Sequence, residues 1–128
     1  MENRIKTKMI KIISGNRKTR LTVQVADTQE KIEKGLMLVE KLPENEGMLF
    51  VFSRKIYAGF WMKDTLIPLS IAFLDLNGEI LNILDMEPCK GNECPIYYPK
   101  FSYRYAIEVN KGWFEKNRIK EGDYVKFV

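Results

Sequence analysis

Apolar and polar residues alternate with a period of two over much of this chain. Leu21, Val23 and Val25 take turns with Thr22, Gln24 and Ala26, the pattern of a strand with one buried face. Met9 to Ile13 reads as the strand before it, Ser14-Gly15-Asn16 as its turn, and Thr19 to Ala26 as the return. Asp27-Thr28-Gln29-Glu30 then offers an acidic N-cap with a glutamate three residues on, so a short helix is expected to about Lys34, stopped by Gly35. Leu36 to Asn45, interrupted by Pro43, predicts irregular chain. Gly47 to Phe52 is an unbroken apolar run, expected as a buried strand, and Tyr57 to Met62 as another. Leu69 to Leu74 and Glu79 to Met86 flank Asp75-Leu76-Asn77-Gly78, where Asn-Gly predicts a hairpin because both residues tolerate positive φ. Glu87 to Ser102, with Pro88, Pro95 and Pro99, is expected as a long loop, and long ordered loops tend to carry function. Tyr103 to Val109 returns to strand, Trp113 to Asn117 to a short helix, and Tyr124 to Val128 closes a sheet after the Gly122-Asp123 turn.

This series predicts a mainly β, single-domain sandwich or barrel-like fold. It would have about seven or eight short, mostly antiparallel strands and one or two short helices. The helices are too few for a repeated parallel βαβ plan. At 128 residues, with 45% hydrophobic and 30% charged, the whole of 1–128 suits one domain able to fold without metal or disulfide.

Charge adds little to this picture. The net charge is +4, and Lys6, Lys8 and Lys11 form one small cluster while Arg17, Lys18 and Arg20 form another. A long basic stripe, or stacking aromatics within a known motif, is missing, so no nucleic-acid partner is expected. No apolar run approaches the ~20 residues that span a bilayer, and no membrane partner is expected. With no targeting segment visible at the start, the expected location is the cytoplasm. Histidine is absent, which excludes Ser-His-Asp and Cys-His hydrolases, His-based zinc enzymes and two-His iron sites.

Several motifs occur in a fixed order: Lys34-Gly35-Leu36-Met37, Gly47 to Phe52 (GMLFVF), and Phe60 to Ile71 (FWMKDTLIPLSI). Met86, Pro88-Cys89, Cys94-Pro95-Ile96-Tyr97, Glu108 to Trp113 (EVNKGW) and Gly122-Asp123 follow. From about residue 21 to the C-terminus the chain strongly resembles the uncharacterised domain-of-unknown-function family 192. The resemblance implies a small β-sandwich or barrel-like fold with short helices, among relatives many of which carry a signal peptide or lipid anchor. It implies no catalytic activity. Two positions depart from the family's usual pattern, Asp64 in place of Asn and Ser70 in place of Asp. If those side chains bind something, the ligand chemistry of this chain differs.

Five groups of residues are candidates for chemistry. In an extended Phe60–Thr65 segment, Phe60 and Met62 share one face and Trp61 and Lys63 the other. Trp61, Lys63, Asp64 and Thr65 would suit a sugar or an acidic small molecule; otherwise Trp61 fills core and Lys63-Asp64 makes a turn. Cys89 and Cys94, spaced C-x4-C, are a loop-stapling disulfide or inert thiols on the simplest reading, with a redox pair or a soft-metal site completed by Met86 and holding Cu(I) as alternatives. Met37, Met48, Met62 and Met86 are expected in core. Asp64, Glu108, Asn110 and Asp123 include carboxylates fit for acid–base work, but structural roles are the simpler expectation, with Asn110 and Asp123 as turn residues. Tyr97, Tyr98, Phe101, Tyr103 and Tyr105 either form a contact rim or cover their own loop.

The leading expectation is a non-enzymatic binding module with no cofactor. Its ligand would be small and polar, a carbohydrate for example, or a peptide. It would be held by Trp61, Lys63, Asp64, Thr65, Tyr97 and Asn110 between the Trp61–Thr65 segment and the cysteine loop. The alternative is a thiol-redox or Cu(I) protein using Cys89 and Cys94.

Overall fold

The computed structural model describes residues 5–127, so Val128 of the expected last strand and the opening residues 1–4 lie outside the described residues. Nine strands and two short helices follow in order: β1 (Lys6–Ser14), β2 (Arg17–Ala26), α1 (Gln29–Lys34), β3 (Glu46–Ile56), β4 (Phe60–Trp61), β5 (Leu69–Leu74), β6 (Ile80–Met86), β7 (Ile96–Tyr97), β8 (Tyr103–Asn110), α2 (Trp113–Lys116) and β9 (Tyr124–Lys126). The mainly β, barrel-like expectation holds.

Seven strands form one curled sheet in the order β6-β5-β8-β3-β2-β1-β9, while β4 and β7 pair separately. The outer strands of that order meet. The Ile80 N–H donates to Asp123 O at 2.8 Å and the Val125 N–H to Gly78 O at 2.8 Å. These bonds occupy edge groups that would otherwise be open to another chain. The pairings are antiparallel except β2 with β3, which run parallel from Thr22↔Glu46 to Ala26↔Phe50. A parallel neighbour needs a crossover, and α1 with residues 35–45 supplies it. Thr28, not the acidic Asp27 expected, caps α1 by accepting the Lys31 N–H, and Gly35, at φ +50°, ends it.

Three expectations need correction. The strand expected over Tyr57–Met62 shortens to Phe60–Trp61, and its partner β7 lies inside the region expected to be loop. The β5–β6 hairpin forms as expected, but in its turn only Gly78 takes positive φ. The Asp75 carboxylate accepts the Asn77 and Glu79 N–H groups, each at 2.9 Å, and so holds Asn77 out of the left-handed region that an Asn-Gly hairpin would use.

Two apolar clusters lie on opposite faces of the central strands. One gathers Ile10, Leu21, Val23, Leu49, Ile107 and Val109 under the Trp113–Phe114 pair of α2. The other gathers Met48, Phe50, Ile71, Phe73, Met86 and Ala106, and is covered by residues from the 36–42 and 60–62 segments. Every residue of β5 is therefore buried.

Gly78 and Gly91 separate two costs of a side chain. Both have φ near +90°, but a Cβ at Gly78 would fall 2.4 Å from Val125 O, whereas at Gly91 it meets nothing within 4 Å. Gly91→Ala is expected to lower unfolding free energy by about 1 kcal/mol from backbone strain alone. Gly78→Ala should cost roughly 2–4 kcal/mol, because the β9 contact must also open. Urea titration of both variants checks this, and equal losses would refute the close approach.

Candidate functional site

Glu108 is where the fold departs furthest from what packing prefers. Its neighbours Ile107 and Val109 point into the first cluster, so alternation turns Glu108 toward the second. It lies opposite Met48 on β3 and Ile71 on β5, in the middle of the sheet. Only 4% of its surface is exposed. The carboxyl has no hydrogen-bond or ion-pair partner among the described residues. Among the described residues no fully sealed side-chain oxygen lacks a partner, so the Glu108 oxygens must reach open space. They do so in a cavity of about 200 Å³. Burial, with no hydrogen bond or cation opposing it, pushes the carboxyl up to about 8 from its ordinary 4.5. At neutral pH the group is mostly uncharged and can donate a hydrogen bond as well as accept one.

The cavity wall is assembled from distant segments. Phe50 and Phe52 of β3, Phe60 and Trp61 of β4, and Tyr103 of β8 give it an aromatic lining. These rings brace one another, Phe60 edge-on to Phe50 at 5.1 Å and Phe52 edge-on to Tyr103 at 5.5 Å. The Tyr103 hydroxyl donates to Ala58 O at 2.7 Å, and burial raises its pKa, so it stays a neutral donor. Residues Ile32 to Met37, from the end of α1, form the facing wall, and Thr65, itself buried, adds a hydroxyl.

Of the expected ligand residues, Trp61 and Thr65 line this cavity. Trp61 is 45% exposed while Met62 is buried. The Lys63 Nζ sits 5.4 Å from the Trp61 ring centre. Asp64 takes φ +57°, a conformation that asparagine and aspartate tolerate better than most residues. Its N–H donates to Cys89 O at 3.0 Å and its carbonyl accepts the Leu38 N–H at 2.9 Å. The segment and the cysteine loop are thus bonded side by side. Tyr97 stands opposite Phe60, and its hydroxyl oxygen accepts the Glu87 N–H at 3.2 Å.

Other expected residues lie elsewhere or serve the framework. Asn110 gives its amide to Leu42 O at 2.8 Å, away from the cavity. Asp123 accepts from Ser14 Oγ and the Lys120 N–H. Ser70 donates to Asp85 at 2.6 Å and accepts the Gly112 N–H at 3.0 Å. Met86 is fully buried in the second cluster. Cys89 and Cys94 are joined as a disulfide, so in this form neither offers a thiolate to a metal or a substrate. The α1 wall was missed from sequence, although Gly35-Leu36-Met37 stood within a recognised motif.

A family model described as an uncharacterised ACR, DUF192, matches residues 10–127. The chain belongs to the DUF192 family. No curated protein matches it at a significant level. Among solved structures, this DUF192 chain is similar to a candidate transcription regulator from Sinorhizobium meliloti 1021, with 27% identity and a TM-score of 0.89. That match covers 98% of this chain and 97% of the other. It is also similar to a protein of unknown function from Novosphingobium aromaticivorans DSM 12444, with 28% identity, a TM-score of 0.85, and 92% and 83% of the two chains covered.

The raised carboxyl fixes a pH dependence. Between about 4.5 and 8 the native Glu108 holds a proton that the unfolded chain has released, so its contribution to stability falls as pH rises through that window. Glu108→Gln removes the titration and keeps the shape. Relative to wild type, the variant should gain stability between pH 5 and 9, by an amount on the order of 4 kcal/mol at most. Parallel denaturation curves at the two pH values would exclude a neutral buried carboxyl. The disulfide gives a second expectation. Its loop is short, so the Cys89→Ser, Cys94→Ser double variant should lose about 2 kcal/mol in a urea titration, and an unchanged midpoint would show that the crosslink is mechanically redundant.

Proposed function

We propose that this DUF192 chain is a non-enzymatic binding module for a small polar ligand, held in the cavity that Glu108 faces. The observation that carries this reading is the partnerless carboxyl. A buried polar group without a partner costs stability, commonly about 1–3 kcal/mol, and a ligand would recover it by supplying the missing hydrogen bond. The cavity is on the scale of a single small ring rather than an oligosaccharide chain. Aromatic walls with one convergent polar group are also what small-molecule sites generally present. The ligand would therefore have an apolar body and one polar end, with Trp61 and Lys63 at the rim free to contact whatever projects outward. A peptide would enter only by one such side chain.

The disulfide is a further argument about setting. Such bonds persist where the surroundings are oxidising, which favours an extracytoplasmic location over the cytoplasm expected from the sequence. Among the described residues no helix is long and apolar enough to cross a membrane.

A thermal-shift screen with small sugars, alcohols, amines and carboxylic acids, followed by calorimetry, tests the binding reading. At least one compound should raise Tm in wild type by several degrees and much less in Glu108→Gln, with Trp61 fluorescence changing in parallel. Ligands that stabilise both proteins equally, or none at all, would count against this cavity.

A further inference from the structure

Resting on that reading, we propose that the ligand presents an ammonium group on an apolar stem, recognised by Glu108 as carboxylate and by the aromatic wall around it. Three observations converge. Glu108 is buried, partnerless and opens onto the cavity. The rings of Phe50, Phe52, Phe60, Trp61 and Tyr103 offer π-faces or edges along the wall, and cations are attracted to π-faces. Thr65, also buried in the wall, adds a hydroxyl that can accept from an N–H donor.

Charged neighbours do not already satisfy the carboxyl. On α1, Glu33 and Lys34 both line the cavity and oppose each other in sign, with Glu33 also accepting from Gln29 at 3.1 Å. On β3, Glu46 lies two positions from Met48 along the strand. On β5 the residues flanking Ile71 on its face are Leu69 and Phe73, which carry no charge. Lys63 and Asp64 sit on the covering segment, with Lys63 directed over Trp61. On β8 itself Tyr103 is committed to Ala58. No cation in this set is paired with Glu108.

Entry of an ammonium changes the protonation balance in a defined way. The Glu108 carboxyl gives its proton to solvent, the ammonium keeps all of its own, and a charge-assisted N–H···O hydrogen bond forms in its place. No electron moves and no covalent bond to carbon changes. Because burial holds the free carboxyl near 8, a bound cation must draw that ionisation downward. Binding therefore competes with protons.

Benzylammonium, benzyl alcohol and benzoate share one ring and differ in charge, and Nα-acetyl-lysine methylamide places the same ammonium on a peptide-like stem. Calorimetry at pH 7 in two buffers of different ionisation enthalpy, with amide chemical shifts of Trp61, Thr65 and Glu108 as the location readout, decides among them. The expected result is benzylammonium binding roughly tenfold or more tighter than benzyl alcohol, with close to one proton released per ligand. Its affinity should fall toward tenfold per pH unit below pH 7, while that of benzyl alcohol stays level. Glu108→Gln should abolish both the preference and the proton release.

If lysine methylamide matches benzylammonium, the source is a peptide side chain; if it fails, the source is a free amine. Benzyl alcohol or benzoate binding in the cavity as tightly as benzylammonium would overturn the ammonium assignment and leave the binding reading intact. Shifts confined to other residues, or absent for all four probes, would overturn both. Should Glu108→Gln fail to fold, the charge series and proton count on wild type decide alone.

Discussion

Strands β5 and β8 are buried on both faces, and the rest of the molecule is arranged around that constraint. A doubly buried strand needs a cover on each side, since any uncovered face leaves apolar surface in water. On one side the curl of the sheet and the aromatic pair of α2 supply it. On the other, the cover is made of a six-residue helix, irregular chain from residues 36–42, and the small β4–β7 pair. Short irregular pieces cannot offer a continuous ridge-and-groove surface, and the cavity lies where they meet. Ile107 and Val109 show what packing selects at this level of β8. Glu108, between them, is a residue that packing alone would not choose, and its burial costs free energy that an apolar side chain would return.

The cover is tied down mainly by backbone hydrogen bonds running across three segments far apart in sequence. Leu38 donates to Asp64, Asp64 to Cys89, and Cys89 to Met62. Leu38 and Asp64 both hold positive φ to make this possible. That gives a physical account of why position 64 would accept either aspartate or asparagine. Asparagine and aspartate share a tolerance for left-handed backbone, so the exchange preserves the turn whatever its effect on a ligand. Ser70 differs: its hydroxyl accepts the Gly112 N–H, as an aspartate could, but it also donates to Asp85 at 2.6 Å, which an ionised aspartate could not do.

Most of the framework was legible in the sequence because it depends on local rules. The β1–β2 hairpin, α1 with its Gly35 stop, and the apolar run of β3 follow from period, capping and composition, although the cap falls on Thr28 rather than on the acidic residue before it. What escaped depended on tertiary pairing. A period of two says nothing about direction, so the parallel β2–β3 neighbour could not be read from it. β7 is two residues long and set among prolines, and it exists as strand because β4 pairs with it. In the candidate site, Trp61 and Thr65 were named from their segment, and both line the cavity. Asn110 reads in the sequence both as a ligand residue and as a turn residue, and its amide is given to Leu42 O. Glu108 reads as structural in the sequence, because sequence gives no measure of whether a buried carboxyl has a partner. The available signal was its isolation, one charge amid Ala106, Ile107 and Val109.

That isolation also determines how the site can discriminate. In water an extra hydrogen bond to a carboxyl contributes little, because solvent competes for the same atoms. Inside an aromatic wall the competition is weaker and every polar contact counts for more, favourable or not. A ligand reaching Glu108 with no donor or acceptor would leave the carboxyl as unsatisfied as before. One that brings a negative charge could engage Glu108 only in its neutral form, as an acceptor of the carboxyl proton. Affinity at such a site is held down by the cost of the burial that creates it, while selectivity is raised by the same burial. The feature that weakens the fold at β8 is thus the one that gives the cavity a chemical preference.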